Sequence, residues 1–580
     1  MKAPNERGYL LLLVPVLMLA ALLRFWGLDF GLPHTLARPD ETEIVTRSLR
    51  FLAWDLNPRF FHYPSLFFYV LGAVFAVWAG VLALLGQPLT DTLVAAALDL
   101  SPYLLMGRVV SALAGVATVA ALFALGRLLA GPRVGLAAAL LLAVSPLHVR
   151  DSHFATTDVV LTLFVTLSVL FVLHSYRTGR RRDYALAGAF AGLAMGTKYV
   201  GLLMPCSITV AYLLSIDTTA LSTPLARVKS VARDSRPWIF TGCWITAFLV
   251  TSPYVVLDNL LFMRHFLFQL DHLAGGHGLD LGTGGVYHLR YTLPLGVGWP
   301  AYLVAFAGAV LVIRERWREA AVLLSFPVIF YASTFTSQTL FLRYMMPVIP
   351  FVCLLAGFGS VRLAEMGSRP RARTGLALLL LVLAAEPLTR DVSMNRLLSQ
   401  TDSRVLASTW LEQSAGPGSY TVYQTGEEWG HLQLPRGEAY YLGVLESLRL
   451  PAITPARQVG RDYERFQAEI RRDTARVRGA GFEYIDSTSV EAGTRPDYFV
   501  VLESDLTQYS AIRSSVLNAV AAEYELIHHT PSTSPGPGGW YDQLDAFYLP
   551  FRGFADVERP GPNVTIYRRT ATPWRDPLDL

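Results

Sequence analysis

Apolar positions dominate the chain in long runs divided by short polar stretches. The first run, Tyr9 to Leu23, carries no charge, and similar runs recur near 64–85, 104–126, 134–148, 159–175, 184–216, 237–253, 295–313, 319–335, 345–361 and 374–388. A helix rises about 1.5 Å per residue, so about 20 such residues match the hydrocarbon thickness of a bilayer. The pattern predicts a polytopic α-helical membrane protein. After the first run come Arg24-Phe-Trp, where the small residues of a signal-peptide cleavage site would stand, so this run reads as a retained span.

Basic residues fix the expected topology. They fall in clusters at Lys2/Arg7, Arg127/Arg133, Arg177/Arg180/Arg181/Arg182, Arg227 to Arg236, Arg314/Arg316/Arg318 and Arg362 to Arg373. The positive-inside rule places all of them, with the N-terminus, in the cytoplasm. Successive clusters must then be joined by even numbers of crossings, and residues 184–216 read as two short spans with Lys198-Tyr199 at the outer turn. The run 64–85, flanked by His62-Tyr63-Pro64, would invert every later cluster if it crossed, so it reads as a helix lying in the outer interface. The result is about eleven spans, with a first outer loop from about 24 to 103.

From about Thr389 the composition is that of a soluble domain. Helical spacing over 402–413 ends near Gly416-Pro417-Gly418, strand-like runs lie at 420–423 and 497–502, and 510–523 reads as a helix. The expected organisation is a membrane module, 1–388, and an extracytoplasmic soluble α/β domain, 389–580. Gly536-Pro-Gly-Gly-Trp540 reads as a loop, and Asn563-Val-Thr565 is a glycosylation sequon by pattern only.

Composition narrows the partners. The 580 residues are 52% hydrophobic and 16% charged, with net charge +4. Soluble domains are nearer a quarter charged, and the basic clusters follow topology, so nucleic acid is not an expected partner whereas membrane lipids are. Cys206, Cys243 and Cys353 lie inside apolar runs without zinc or CxxC spacing and read as small core residues.

The candidate chemistry gathers on the outer side. Arg38-Pro-Asp-Glu-Thr-Glu43 follows the first span, and its proline is expected to hold Asp40 and Glu41 on a turn. Adjacent carboxylates there suit a general base, or a base with a metal ligand; a solvated loop with a helix-starting Asp is the plainer reading. Arg47, Arg59, His62 and Arg108 join them, and the second outer loop adds His148, Arg150, Asp151, His153 and Asp158. Lys198-Tyr199 stands at the third, Asp258 with His265, His272 and His277 in the fourth, and Arg343-Tyr344 in the fifth. Arg108 could instead snorkel to headgroups, and His148 and Arg150 could be structural. The histidines 265–277 lack compact zinc-ligand spacing. Lys198, alone among apolar residues, is costly in lipid unless it meets an interface or an anion. Acids and bases above a helical bundle suit an anionic lipid headgroup and an uncharged nucleophile.

Several of these motifs resemble the dolichyl-phosphate-mannose–protein mannosyltransferases and their bacterial relatives. They are Asp40-Glu41 after the first span, His62-Tyr-Pro-Ser65, Arg108-Val-Val-Ser-Ala-Leu-Ala-Gly115, Ser145-Pro-Leu-His-Val-Arg150, Asp158, Thr197-Lys-Tyr199, Ser252-Pro-Tyr254 with Asp258, and Arg343-Tyr344 with Pro347. A weaker echo lies at Asp402-Ser-Arg404 and Trp410. The family is one of the GT-C integral membrane glycosyltransferases, which include the lipid A aminoarabinose transferases. The resemblance implies transfer of a sugar from a polyprenyl-phosphate carrier on the periplasmic or lumenal face, with inversion, here in a bacterial-type inner membrane. Its essential acid matches Asp40, with Glu41 beside it, and its second-loop acid matches Asp158. The chain lacks the inserted lumenal domain of the eukaryotic members and ends in a soluble domain, which leaves lipid, glycan and protein open as acceptors.

Charge then suggests roles. Departure of the carrier builds negative charge on phosphate, which Lys198, Arg343 and Arg108 are candidates to stabilise, with His62, Tyr199 and Tyr344 beside them as substrate-binding residues. Asp40 is the first choice of base and Glu41 the second. No cofactor is required; a divalent metal bridging Asp40 and phosphate is compatible but not demanded. The alternative is a flippase or transporter of a lipid-linked sugar, which would place its charges at mid-membrane, often within repeats. A third reading is a glycan-binding scaffold with a degenerate site.

Overall fold

The computed structural model describes residues 6–87, 89–216, 233–366, 369–416, 418–435, 480–536 and 538–570; Lys2, Arg227, Pro417 and Pro537 of the sequence reading lie outside them. The chain forms two compact units. One is Met1–Trp26, Asn57–Val70 and Gly107–Ser393; the other is Gly27–Leu56, Leu71–Met106 and Met394–Leu580.

Among the described residues six helical stretches are long and apolar enough to cross a membrane: Gly8–Phe25, Leu66–Leu84, Ser101–Ala130, Thr157–Thr178, Leu342–Glu365 and Ala372–Ala415. A seventh results if Gly284–Val297 and Trp299–Ser333, bent by 110°, form one span. This makes the chain a membrane protein. Expected spans near 134–148, 184–216 and 237–253 are shorter helices, namely Pro132–Ala143, Arg181–Thr197 with Pro205–Ser215, and Ser235–Thr251. At about 1.5 Å per residue they reach only about 16 to 26 Å of a hydrocarbon layer about 30 Å thick. The expected pair 295–313 and 319–335 is one helical stretch, Trp299–Ser333, broken at Arg316 by a non-helical φ of −144° and ψ of 47°.

In the first unit, small residues let helices touch. Gly188, Gly192 and Gly196 repeat every four residues along Arg181–Thr197, and a Cβ at them would overlap Phe240 O, Trp244 O and Thr251 Oγ1 of Ser235–Thr251. This is the close backbone approach that small residues four positions apart allow between packed helices. Arg24, fully buried, donates to the carbonyls of Ala20 (3.0 Å), Leu142 (3.1 Å) and Ala143 (3.0 Å) and to Nδ1 of His148 (2.8 Å). It satisfies carbonyls left open at the end of Pro132–Ala143. His148 is thereby an acceptor at Nδ1, a structural role.

Four basic clusters meet at one end of this unit. Arg133 pairs with Glu365 (3.6 Å), Arg362 with Glu315 (2.8 Å) and Arg177 with Glu319 (3.5 Å), while Arg177 also donates to Leu128 O and Leu129 O. They share one side, as a common topological origin requires.

The second unit holds a five-stranded sheet of β1 (Gly418–Gln424), β2 (Ala480–Tyr484), β3 (Tyr498–Glu503), β4 (Tyr524–Thr530) and β5 (Asn563–Arg569), in the order β2-β1-β3-β5-β4. β1 is parallel to β2 and β3; β5 is antiparallel to β3 and β4. Side chains alternate across β3. Tyr498, Val500 and Leu502 face a core with Ala407 and Leu411 of helix Ser403–Ala415, and Phe499 faces another with Val516 and Val520 of helix Ser514–Glu523. Burial on both faces explains the continuous apolar run of β3.

Candidate active site

The arrangement starts from a helical hairpin. Thr157–Thr178 ends at Gly179, whose φ of +65° suits glycine, and Arg181–Thr197 returns antiparallel. Asp158 lies in the first turn of one helix and Lys198 follows the last turn of the other, so the two meet at the open end. Lys198 Nζ donates to Asp158 Oδ1 at 2.7 Å, with side-chain exposures of 16% and 5%. Each charge also complements its own helix dipole. An ammonium has three N–H donors, so two of those on Lys198 remain for a ligand. Tyr344 and Tyr63 bracket the cation, with ring centres 4.9 and 5.8 Å from Nζ.

Asp158 and Arg177 stand 19 residues apart on the same helix. At about 1.5 Å per residue this is about 29 Å, one hydrocarbon thickness. The ion pair and the arginine clusters therefore occupy opposite ends of this unit.

A second set of contacts fixes the strip 57–65. Tyr199 OH donates to Phe61 O (2.8 Å), and Phe61 N–H donates to His265 Nδ1 (3.0 Å). Asn57 Nδ2 donates to Asp258 Oδ2 (2.8 Å), and Ser65 N–H to Ser252 Oγ (3.1 Å). His62 stacks on His265 at 4.4 Å, and its Nδ1 is 3.0 Å from Gln269 Nε2. The motifs containing His62, Lys198, Ser252 and Asp258, scattered along the sequence, thus converge.

A succession of aromatic and imidazole rings links the two tyrosines beside Lys198. Tyr63 meets Phe60 (5.9 Å), Phe60 meets His62 (4.8 Å), and His62 meets Phe268 (5.2 Å). The succession runs on through His272 (6.0 Å), His277 (5.3 Å) and Phe341 (5.1 Å) to Tyr344 (5.3 Å), which closes it. Arg343 lies over the Phe341 ring at 4.4 Å. Burial first, and Arg343 second, hold the His272 imidazole below its ordinary value.

The remaining candidates are placed as follows. Arg108, in Ser101–Ala130, is fully buried and so does not snorkel to headgroups; its charge is felt at His153. Arg150 and Asp151, both buried, lie 3.5 Å apart. Asp40 and Glu41 belong to the second unit. They are not on a turn: Pro39–Leu49 is a helix with both acids in its first turn. Proline restricts the residue before it, and Arg38 is indeed extended (φ −135°, ψ 112°), while Pro39 itself starts the helix without losing a needed N–H. Asp40 is part-exposed and Glu41 fully buried. Among the described residues no group of three or more His, Cys, Asp or Glu is arranged to hold a metal ion.

The sequence missed Tyr63 as a partner of Lys198, and the Asp158–Lys198 pairing itself. The similar spacing of the two charges about Gly179, 21 residues before it and 19 after, was the available signal.

Residues 88–257 match the family model described as dolichyl-phosphate-mannose-protein mannosyltransferase. The resemblance read from the motifs holds over this stretch, which contains Arg108, Asp158, Lys198 and Tyr199 and relates the chain to glycosyltransferases. No curated protein matches the sequence. Among solved structures the chain is similar to ArnT from Cupriavidus metallidurans in the apo state (16% identity, TM-score 0.49, 96% of this chain and 97% of that one). It is similar as well to the same protein bound to undecaprenyl phosphate (15%, 0.46, 98% and 99%). A third is the apo oligosaccharyltransferase of Archaeoglobus fulgidus (13%, 0.48), where 71% of this chain spans only 58% of that one.

Proposed function

We propose that the chain is an inverting glycosyltransferase that moves a hexosyl or pentosyl unit from a polyprenyl-phosphate carrier to a hydroxyl of a lipid, glycan or protein. The observation that carries this reading is the Asp158–Lys198 pair between the Tyr63 and Tyr344 rings, on a stretch related to mannosyltransferases. Lys198 keeps two donors for phosphate oxygens while Asp158 fixes its position. As the anomeric bond to phosphate breaks, negative charge grows on the leaving oxygens, and Lys198 with Arg343 and Arg108 stabilises that state more than the ground state. Asp40 takes the acceptor proton as base; Glu41, fully buried, is the second choice. The ring succession beside Lys198 offers apolar faces to a sugar or an isoprenoid.

The reading extends to sidedness. The pair lies at the end of Thr157–Thr178 away from Arg177, so the positive-inside rule puts it on the extracytoplasmic face of a bacterial-type inner membrane. A GT-C fold of about eleven spans, with an extracytoplasmic α/β domain, belongs to the same proposal. The test is a panel of polyprenyl-phosphate sugars, radiolabelled in the sugar, offered to purified protein with lipid, glycan and peptide acceptors. Label should leave one donor and appear on an acceptor with inverted anomeric configuration. Retained configuration would remove the single-displacement mechanism, and label that stays on every donor would remove the enzyme.

A further inference from the structure

Asp40 and Glu41 follow a short loop, 27–38, whose polar and aromatic groups are held by the last third of the chain. His34 Nε2 donates to His431 O (2.8 Å). Thr35 and Gln433 pair reciprocally: Thr35 N–H donates to Gln433 Oε1 (2.8 Å), and Gln433 Nε2 donates to Thr35 Oγ1 (2.9 Å). Phe30 meets the Phe547 ring edge-on at 5.7 Å. Arg38, fully buried, forms an ion pair with Asp545, whose side chain is also buried. Thr42, in the first helical turn, returns to the loop by donating to Thr35 O (2.7 Å).

The segment that receives this loop is itself fixed. Asp402 caps helix Ser403–Ala415 and grips Arg404 through Nε (2.9 Å) and Nη2 (2.7 Å), and Arg404 donates onward to Trp429 O (2.6 Å), two residues before His431. The Asp402-Ser-Arg404 motif thereby acquires a place in the same support.

We propose that the C-terminal region braces the acid-bearing helix, with Asp545 acting through Arg38, and Gln433 through Thr35, as positioning residues that set where Asp40 points. Arg38 occupies the N-cap position of Pro39–Leu49. Along the backbone only Pro39, whose ring fixes φ, stands between Arg38 and Asp40, and burial holds the Arg38 side chain in place, so the anchor lies close in sequence to the acid. A buried ion pair is weak support for stability, because desolvation offsets its attraction, and a geometric role accounts for it better. The proposal rests on the reading of Asp40 as base.

The test uses the purified full-length chain and a labelled polyprenyl-phosphate sugar that it turns over. Asp545→Asn should lower kcat by about 10²-fold, the order expected when a catalytic group is misplaced, with donor KM unchanged. Asp545→Glu should recover part of the loss by keeping the charge. In an Asp40→Asn background, Asp545→Asn should add no further loss, since the two act through one group. Independently of turnover, a thiol reagent should modify Asp40→Cys faster once Asp545→Asn is added. Gln433→Ala, a milder change, carries both arms if Asp545→Asn fails to fold. Losses that multiply in the double variant, or labelling that does not change, would overturn the brace. Full activity in Asp40→Asn would instead remove the base assignment, and the labelling arm alone would then decide the brace.

Discussion

Lys198 is the residue on which the chemistry turns. A cation wholly consumed by one carboxylate would be a structural pair; here one donor is used and two remain. Lys198→Ala should weaken binding of the lipid donor by about 10–100-fold, the value of one or two charge-assisted hydrogen bonds, and should slow transfer as well. Lys198→Arg should restore only part, because a planar guanidinium is bulkier and fits differently between two rings. Equilibrium binding of the donor beside single-turnover rates checks both; unchanged values for the alanine variant would take the lysine out of the site. The sequence exposed Lys198 because a lone cation in an apolar run is anomalous. Its partner was hidden, because pairing depends on how the hairpin closes.

His34 gives a second residue-scale outcome. Burial first, and Arg404 second, depress its pKa from 6.5 to about 3. The folded chain therefore keeps it neutral where the unfolded chain takes up a proton. Its contribution to stability is complete above about 6.5 and is lost as pH falls through that value toward about 3. Thermal midpoints measured across that window should fall less steeply for His34→Gln than for the parent. Parallel slopes would show that His34 does not govern the acid response.

At the scale of elements, long apolar runs located most of the apolar helices but their lengths less well, and the helix Asn259–Gly275 lies in the expected fourth outer loop. Composition marks an apolar run, but a helix stops where local geometry stops it, as at Lys198, whose backbone is extended (φ −153°, ψ 143°). Pro39 shows the same limit, since proline opens a helix as readily as it bars one. Gly31 illustrates what spacing alone does not reveal: with φ +71° and Ala37 against the place its Cβ would occupy, only glycine fits that turn. The Gly188, Gly192 and Gly196 repeat was visible in the sequence, but its partner helix was not. Gly192→Leu should overpack that seam, costing about 1–3 kcal/mol, and lower the thermal midpoint in detergent. An unchanged midpoint would mean that the helices separate there without loss.

For the whole molecule, the sequence separated basic from acidic ends correctly enough to place Lys198 and Asp158 away from the arginine clusters. It did not show that residues 27–56 and 71–106 group with Met394–Leu580. That grouping rests on contacts such as Thr35 with Gln433, 398 positions apart, which no periodicity encodes. Sidedness is open to direct measurement. A membrane-impermeant thiol reagent added outside intact cells should modify Ser101→Cys but not Arg180→Cys, and the reverse pattern would invert the topology.

The most direct measurement of the central claim is cleavage of a labelled polyprenyl-phosphate sugar by purified protein in detergent, where no membrane separates two compartments. The account predicts that the parent chain breaks the bond between sugar and phosphate in the presence of acceptor. Asp40→Asn should do so about 10²–10⁴-fold more slowly, as expected for loss of a general base, while still binding donor. Donor recovered intact from the parent chain with every sugar and acceptor tried would contradict it, and would leave a carrier that moves the lipid-linked sugar without breaking it.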